Sequence, residues 1–408
     1  MALSDLFDTT NDLLLDQALS DDDFGVTLKA LGTRLLDGGV PVARISIGRS
    51  VPHPVIGLLD MQWERETGQV NKQTLTGAQV LSELHLDDPF ADLSRDEFSS
   101  ITADLRDPKE IARYQIFNQL AASGMTSYAA FARKFGTRQK LCSRVSEHFR
   151  GASLSFATKR FSGFFASDLA GLERLVPAIC VCARVDTDMF MTHEVLETYL
   201  GRISGKRVLT GQIDRRDAQT IECALFYADM RGSLVLSQSL DTPAYLDTVN
   251  AFFDGTANAV ADHGGEVLKF IGDGILAIFP IEEGTRPREN MCQAALAAAR
   301  EAVVRATHSN KVRGADNLPP VEFGIALHVG EVIYGNVGVE RRLDFTATGP
   351  EVGLAARIEA LTRSLDAAIL ASAAFAAQIS EAGNTHPPQH VRSFDQPITV
   401  VSYPTTDP

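Results

Sequence analysis

The chain has 408 residues, 45% of them hydrophobic and 22% charged, a composition that builds packed cores and excludes collagen-like, coiled-coil and wholly disordered chains. Its length points to two domains. With 52 acidic against 38 basic residues the net charge is -14, a field that repels phosphate backbones and anionic lipid, so neither nucleic acid nor a membrane surface is an expected partner.

No apolar run reaches the roughly 18 residues of a spanning helix, and the stretch Met1 to Ser20 carries acids with no basic leader. A cytoplasmic chain is expected. The five cysteines, Cys142, Cys180, Cys182, Cys223 and Cys292, are odd in number and lack Cys-x-x-Cys spacing, which predicts reduced thiols.

In chain order, Leu3, Leu6, Leu13, Leu14 and Ala18, then Val26, Leu28, Leu31 and Leu35 after an acidic run, have helical spacing. Strands are predicted over 40–47, 55–66, 70–75, 126–134 and 153–159, with a helix over 108–122. Leu169, Leu172, Leu175, Val176 and Ile179 return to helical spacing, and the pattern continues to Leu200. Helices around a five-stranded antiparallel sheet outline a small sensory domain. His53, between two prolines, and Trp63 are candidates to line a ligand pocket there. Cys180 and Cys182 are two apart on a helix, so they face different ways and do not chelate together.

Residues 201–217 are weakly periodic and read as a linker. A buried-type strand over 221–228 then leads into a helix over 243–263, with Thr242 as N-cap and Pro243 at the first helical position. A hairpin follows around Gly272-Asp273-Gly274. Next come a helix over 289–308, strands over 321–328, 331–337 and 343–347, and a helix over 352–364. Helices covering one face of a mainly antiparallel sheet make an α+β sandwich.

Asp229 ends the apolar strand Leu225-Phe226-Tyr227-Ala228-Asp229, and Asp273 sits at the hairpin tip. Two adjacent strand ends that each offer a carboxylate suit a palm-like site holding two Mg²⁺ ions on a triphosphate.

Four ordered motifs extend this pair: Phe226 to Gly232 (aromatic-x-x-Asp-x-Arg-Gly), Lys269 to Asp273 (Lys-x-x-Gly-Asp), Gly330 to Gly338 (Gly-Glu-Val-x-x-Gly-Asn-x-Gly) and Asp344 to Arg357. Over residues 219–402 the chain resembles the class III nucleotidyl cyclase catalytic domain. The resemblance implies a ferredoxin-like palm fold and an adenylate cyclase, with Asp229, Asp273 and the Met230 carbonyl holding two Mg²⁺ or Mn²⁺ ions per site. It also implies that Lys269 and Thr346 read the base. An ammonium donates to adenine N1 and a hydroxyl accepts from the exocyclic amine, whereas guanine N1 carries its own proton. Arg357 corresponds to the residue that stabilises charge on the α-phosphoryl group. Phe226, Gly232, Ser233 and Arg342, with Arg341 beside it, are the implied remaining substrate contacts. The family's architecture further implies a homodimer with active sites at the subunit interface.

Two departures stand out. Ser233-Leu234 replaces the family's Phe-Thr, and Gly353 stands where the family has Asn, one helical turn before Arg357. Losing one such donor costs about 2.7 to 4 kcal/mol in other enzymes, so the alternative is a weak cyclase that acts as a nucleotide-binding regulatory module. A diguanylate cyclase is disfavoured, because the hairpin reads Ile-Gly-Asp-Gly.

The expected organisation is therefore an N-terminal regulatory domain over 1–185, a helical linker over 186–218 and a cyclase domain over 219–408. By strand order and position the first resembles a GAF or PAS-type α+β sensor domain, with a possible small-molecule ligand.

Overall fold

The structure, a computed structural model, describes residues 3–20, 22–51, 53, 56–83, 88–94, 100–136, 151–214, 217–392 and 394–405. Cys142, the prolines flanking His53 and residues 215–216 of the expected linker lie outside these. The fold is α+β in two compact units, Met1–Glu194 and Val195–Pro408. Among the described residues no helix is long and apolar enough to cross a membrane.

The first unit opens with α1 (Leu3–Gln17) and α2 (Phe24–Asp37), the latter capped by Asp23, whose side chain accepts the Gly25 amide. Then follow β1 (Arg44–Ser50), β2 (Ile56–Glu64), β3 (Val70–Thr76), α3 (Gly77–Glu83), α4 (Pro89–Ser94), β4 (Ser100–Asp104), α5 (Pro108–Ile111), α6 (Gln115–Ala122), β5 (Ser127–Lys134), β6 (Gly151–Thr158) and the long α7 (Ala166–Leu200). Among the described residues the sheet has six strands, in the order β3-β2-β1-β6-β5-β4. Strand alternation gives it two buried faces. Ile45, Ile47, Phe131, Leu154 and Phe156 pack beneath α1, α2 and α7, while Ala43, Tyr128, Ala130 and Ala157 pack with Leu93, Phe117 and Leu120 of α4 and α6.

The sixth strand, β4, escapes a sequence reading because Ser-Ile-Thr-Ala-Asp buries only two of its five side chains. The expected helix over 108–122 is two helices, since the chain turns at residues 112–114, where Tyr114 is buried and donates its hydroxyl to Asp92 at 2.7 Å. Trp63 is a core residue lying across Gly32, where a Cβ would stand 2.6 Å from the indole. His53 Nδ1 accepts the Ile56 amide at 3.0 Å. Cys180 and Cys182 are both buried in the core under α7.

The second unit comprises α8 (Arg202–Leu209), β7 (Ala218–Met230), α9 (Ser233–Ser239), α10 (Thr242–Asp262), β8 (Glu266–Ile271), β9 (Gly274–Pro280), α11 (Arg288–Ala315), β10 (Phe323–Val339), β11 (Arg342–Thr348), α12 (Pro350–Leu361), β12 (Ile369–Ser372), α13 (Ala373–Ala376), β13 (Asn384–Thr385) and β14 (Val400–Ser402). Among the described residues its eight strands run β13-β14-β12-β10-β7-β9-β8, with β11 on β10, and only β10 and β12 pair in parallel.

Helices cover both faces of this sheet, not one. Ala224, Phe226 and Ala228 of β7 pack with α10 and α11, and Cys223 and Leu225 pack on the other side with Ala355 of α12 and Val208 of α8. That is why the strand reads as an unbroken apolar run. Helix α8 falls within the segment expected to be a linker. It docks on the sheet because Glu266, 4% exposed, accepts the Ser204 amide and hydroxyl, both at 2.7 Å, and the Tyr334 hydroxyl at 2.9 Å. Helix α10 is capped by Asp241, not Thr242; the carboxylate accepts the Ala244 amide at 2.9 Å.

Candidate active site

Asp229 stands one residue from the end of β7 and, by strand alternation, on the α12 side of the sheet. Gly274 is its register partner on β9, and a Cβ there would lie 2.7 Å from Asp229 Oδ1. Glycine leaves that carboxylate its space. The hairpin turn between β8 and β9 places Gly272 in left-handed conformation (φ 63°) and brings Asp273 to the end of β7, where its carbonyl accepts the Met230 amide at 3.1 Å. Burial, then the Asp273 carboxylate, push Asp229 up to about 6.

A third carboxylate faces this pair, one that sequence reasoning missed. Glu359 of α12 is pushed up to about 7, by burial first and then by Asp229. It lies over Gly324, the register partner of Asp229 on β10, with Oε1 2.6 Å from where a Cβ would be. The signal for it is helical spacing: Glu359 stands four residues beyond Ala355, on the packed face of α12 and away from Arg357. Among the described residues no group of three His, Cys, Asp or Glu side chains closes a metal site. The donor set is two hard carboxylates at strand ends, and it fits Mg²⁺ or Mn²⁺ ions completed by substrate oxygens and water.

Lys269 projects from β8 and its ammonium pairs with Asp344 of β11, both side chains being half-exposed. Asp344 and Thr346 are two apart in one strand and share a face, so the ion pair brings Lys269 and Thr346 to the same side of the sheet. Thr346 is buried opposite Gly335. Asp344 opens the fourth motif, and its partner is legible only in the fold, where β11, paired to β10, comes near β8.

Gly353 and Arg357 are both exposed on one face of α12, and a Cβ at Gly353 would meet nothing within 4 Å. Asn336 does not fill that gap, since its amide donates to the Gln212 and Asp214 carbonyls at 2.9 and 3.1 Å. Gly232 is the left-handed N-cap of α9 (φ 72°) and Ser233 its first residue. Arg341 and Arg342 are exposed at the β10–β11 turn. Phe226, expected at the substrate, has no exposed surface and packs in the core on the sheet face opposite Asp229. Strand parity excludes it from the site.

Residues 216–382 match the family described as "Adenylate and Guanylate cyclase catalytic domain". Adenylate cyclase 1 of Rhizobium meliloti (strain 1021) is 28% identical over 178 residues, covering 43% of this chain and 26% of that protein. The adenylate cyclase of Anabaena cylindrica is 30% identical over 157 residues, covering 38% and 30%. The chain thus spans less than a third of the length of these relatives. Among solved structures, the adenylyl cyclase CyaB from P. aeruginosa is 25% identical with a TM-score of 0.40, covering 45% of this chain and 94% of that one. Over residues 216–382 the chain thus matches an adenylate/guanylate cyclase catalytic domain.

Proposed function

We propose that this cyclase domain works as an adenylate cyclase, turning ATP into 3′,5′-cyclic AMP and pyrophosphate on a ferredoxin-like palm. The observation that carries the choice of adenine is the placement of Lys269 and Thr346 on one side of the sheet, joined through Asp344. Asp344 aims the ammonium, a donor for adenine N1, and the Thr346 hydroxyl accepts from the exocyclic amine.

Asp229, Asp273 and the Met230 carbonyl would hold two Mg²⁺ or Mn²⁺ ions. Bound there, such ions neutralise phosphoryl oxygens and acidify a nearby hydroxyl. The protein's own part is positioning and charge. Arg357 meets charge developing on the α-phosphoryl group as the 3′-hydroxyl attacks in line, while Gly232, Ser233 and Arg342 orient the triphosphate.

The working form is a homodimer that shares its sites, with carboxylates from one chain and Lys269, Thr346 and Arg357 from the other. In support, α7 exposes Val181, Val185, Met189, Val195 and Tyr199 at helical spacing, a stripe suited to pairing with a second copy. The N-terminal unit is the regulatory part, of GAF or PAS type, in a cytoplasmic protein. Its six-stranded antiparallel sheet with helices on both faces supports that reading. Incubating the purified chain with ATP and Mn²⁺ and resolving the products tests the proposal: cyclic AMP supports it, and intact ATP or ADP alone sinks it.

One observation favours a second reading, a weak cyclase serving as a nucleotide-binding module. Gly353 faces open space, leaving no donor beside Arg357 on α12. Tight ATP binding without turnover would support it.

A further inference from the structure

Helix α12 carries Gly353 and Arg357 outward and Glu359 toward Asp229, yet its start has no side-chain cap. Gly349 occupies the N-cap position and offers none, and the Gly353 amide reaches the Gly349 carbonyl at 3.3 Å. Glycine is a tolerated cap and Pro350 suits the first turn, but no capping side chain ties this end of the helix to its surroundings.

What meets it is His328. This residue lies on β10, 3% exposed, with Nε2 2.5 Å from Oε2 of Glu351, the second residue of α12. On its other side Nδ1 lies 2.7 Å from Ser372 Oγ, which also accepts the Phe375 amide at 3.1 Å and so caps α13. Burial lowers the imidazole's pKa against the opposing pull of Glu351, which favours the neutral ring with its one N–H. A carboxylate only accepts. Nε2–H therefore donates to Glu351, and Nδ1 accepts from the Ser372 hydroxyl. Gly330, two residues along β10, makes the approach possible, since a Cβ there would sit 2.9 Å from Glu351 Cγ.

We propose that His328 is a positioning residue: held between Ser372 and Glu351, it fixes the first turn of α12 on β10 and thereby sets where Arg357 stands. The reach of this inference to turnover rests on the role given to Arg357 above. Arg357 lies six residues beyond Glu351, about 9 Å along the axis at 1.5 Å per residue. A small tilt at the first turn therefore displaces the guanidinium, and a displacement of about 1 Å at a reacting group can cost about a hundredfold in rate.

The test uses the full chain with Glu351→Ala, which removes the acceptor, and Glu351→Gln, which keeps an acceptor oxygen at the same reach. Glu351 is partly exposed, so neither change empties a core. In Glu351→Ala the amides of residues 353–356 should exchange with solvent at least about tenfold faster while those of α10 and α11 stay unchanged. Its kcat for ATP should fall by about tenfold or more with KM within about twofold, and Glu351→Gln should recover both properties. Unchanged exchange in α12, or fast exchange with unaltered kcat, would overturn the proposal. Absence of cyclic AMP from the native chain would overturn the function instead, leaving the exchange result alone to decide whether His328 holds the helix.

Discussion

Asp344 pairs with Lys269 across β11 and β8, two residues before Thr346 in the same strand. A half-exposed pair of this kind contributes about 0 to 1 kcal/mol to stability, so its importance lies in aiming the ammonium. Asp344→Asn should leave Tm nearly unchanged and lower kcat/KM for ATP by about tenfold, the equivalent of about 1.4 kcal/mol. Steady-state kinetics beside a thermal melt check this. A large fall in Tm with unaltered kinetics would make the pair purely structural.

Asp229 is pushed up to about 6 by burial and by Asp273. A carboxyl raised in this way is more easily protonated folded than unfolded, so the folded state loses stability as pH rises from the ordinary carboxyl range through about 6. Without metal, Asp229→Asn should therefore raise Tm above that pH, while turnover falls by more than about a hundredfold because a ligand is gone. Mn²⁺ affinity of the native chain, followed by calorimetry, should weaken by about tenfold per pH unit below the same value and level off above it. Affinity that ignores pH between 5 and 7, taken as about one unit either side of 6, would dismiss the carboxylate pair as the site.

Gly353 can be refilled without a clash, since a Cβ there has nothing within 4 Å. Gly353→Asn should raise kcat by about tenfold or more, because the restored donor acts mainly in the transition state. A fast native enzyme that this change slows would show that another group already fills the role. Asn336 is not that group, being committed to the chain at Gln212 and Asp214.

Sites shared between two chains predict complementation. Asp273→Ala and Arg357→Ala should each be inactive alone, and their mixture should regain activity through the one intact site of each heterodimer. Heterodimers that form, as shown by differential tagging, and remain inactive would mean that each chain carries a complete site.

Much of the site was legible before the fold, because the chemistry sits where backbone signals are strongest: a carboxylate ending an apolar strand, and Gly272-Asp273-Gly274 at a hairpin tip. What stayed hidden depends on pairing between distant segments. Asp344 acquires a role only when β11 lies beside β8, and Glu359 only when α12 covers Gly324. Phe226 misled because motif position says nothing about parity, and parity turns it into the core. Likewise the strands expected over 321–328 and 331–337 are one strand, β10, which runs unbroken through Gly330, the glycine making room for Glu351. Helix α8 hid in a segment of weak periodicity because a buried carboxylate, Glu266, anchors it in place of an apolar stripe.

The most direct test of the central claim is a competition: the native chain with Mn²⁺ and equal concentrations of ATP and GTP, both cyclic products being measured from one tube. If Lys269 and Thr346 read adenine, cyclic AMP should exceed cyclic GMP by at least about tenfold, and Lys269→Glu should shrink that ratio by replacing a donor with an acceptor. Equal yields, or an excess of cyclic GMP from the native chain, would contradict the account.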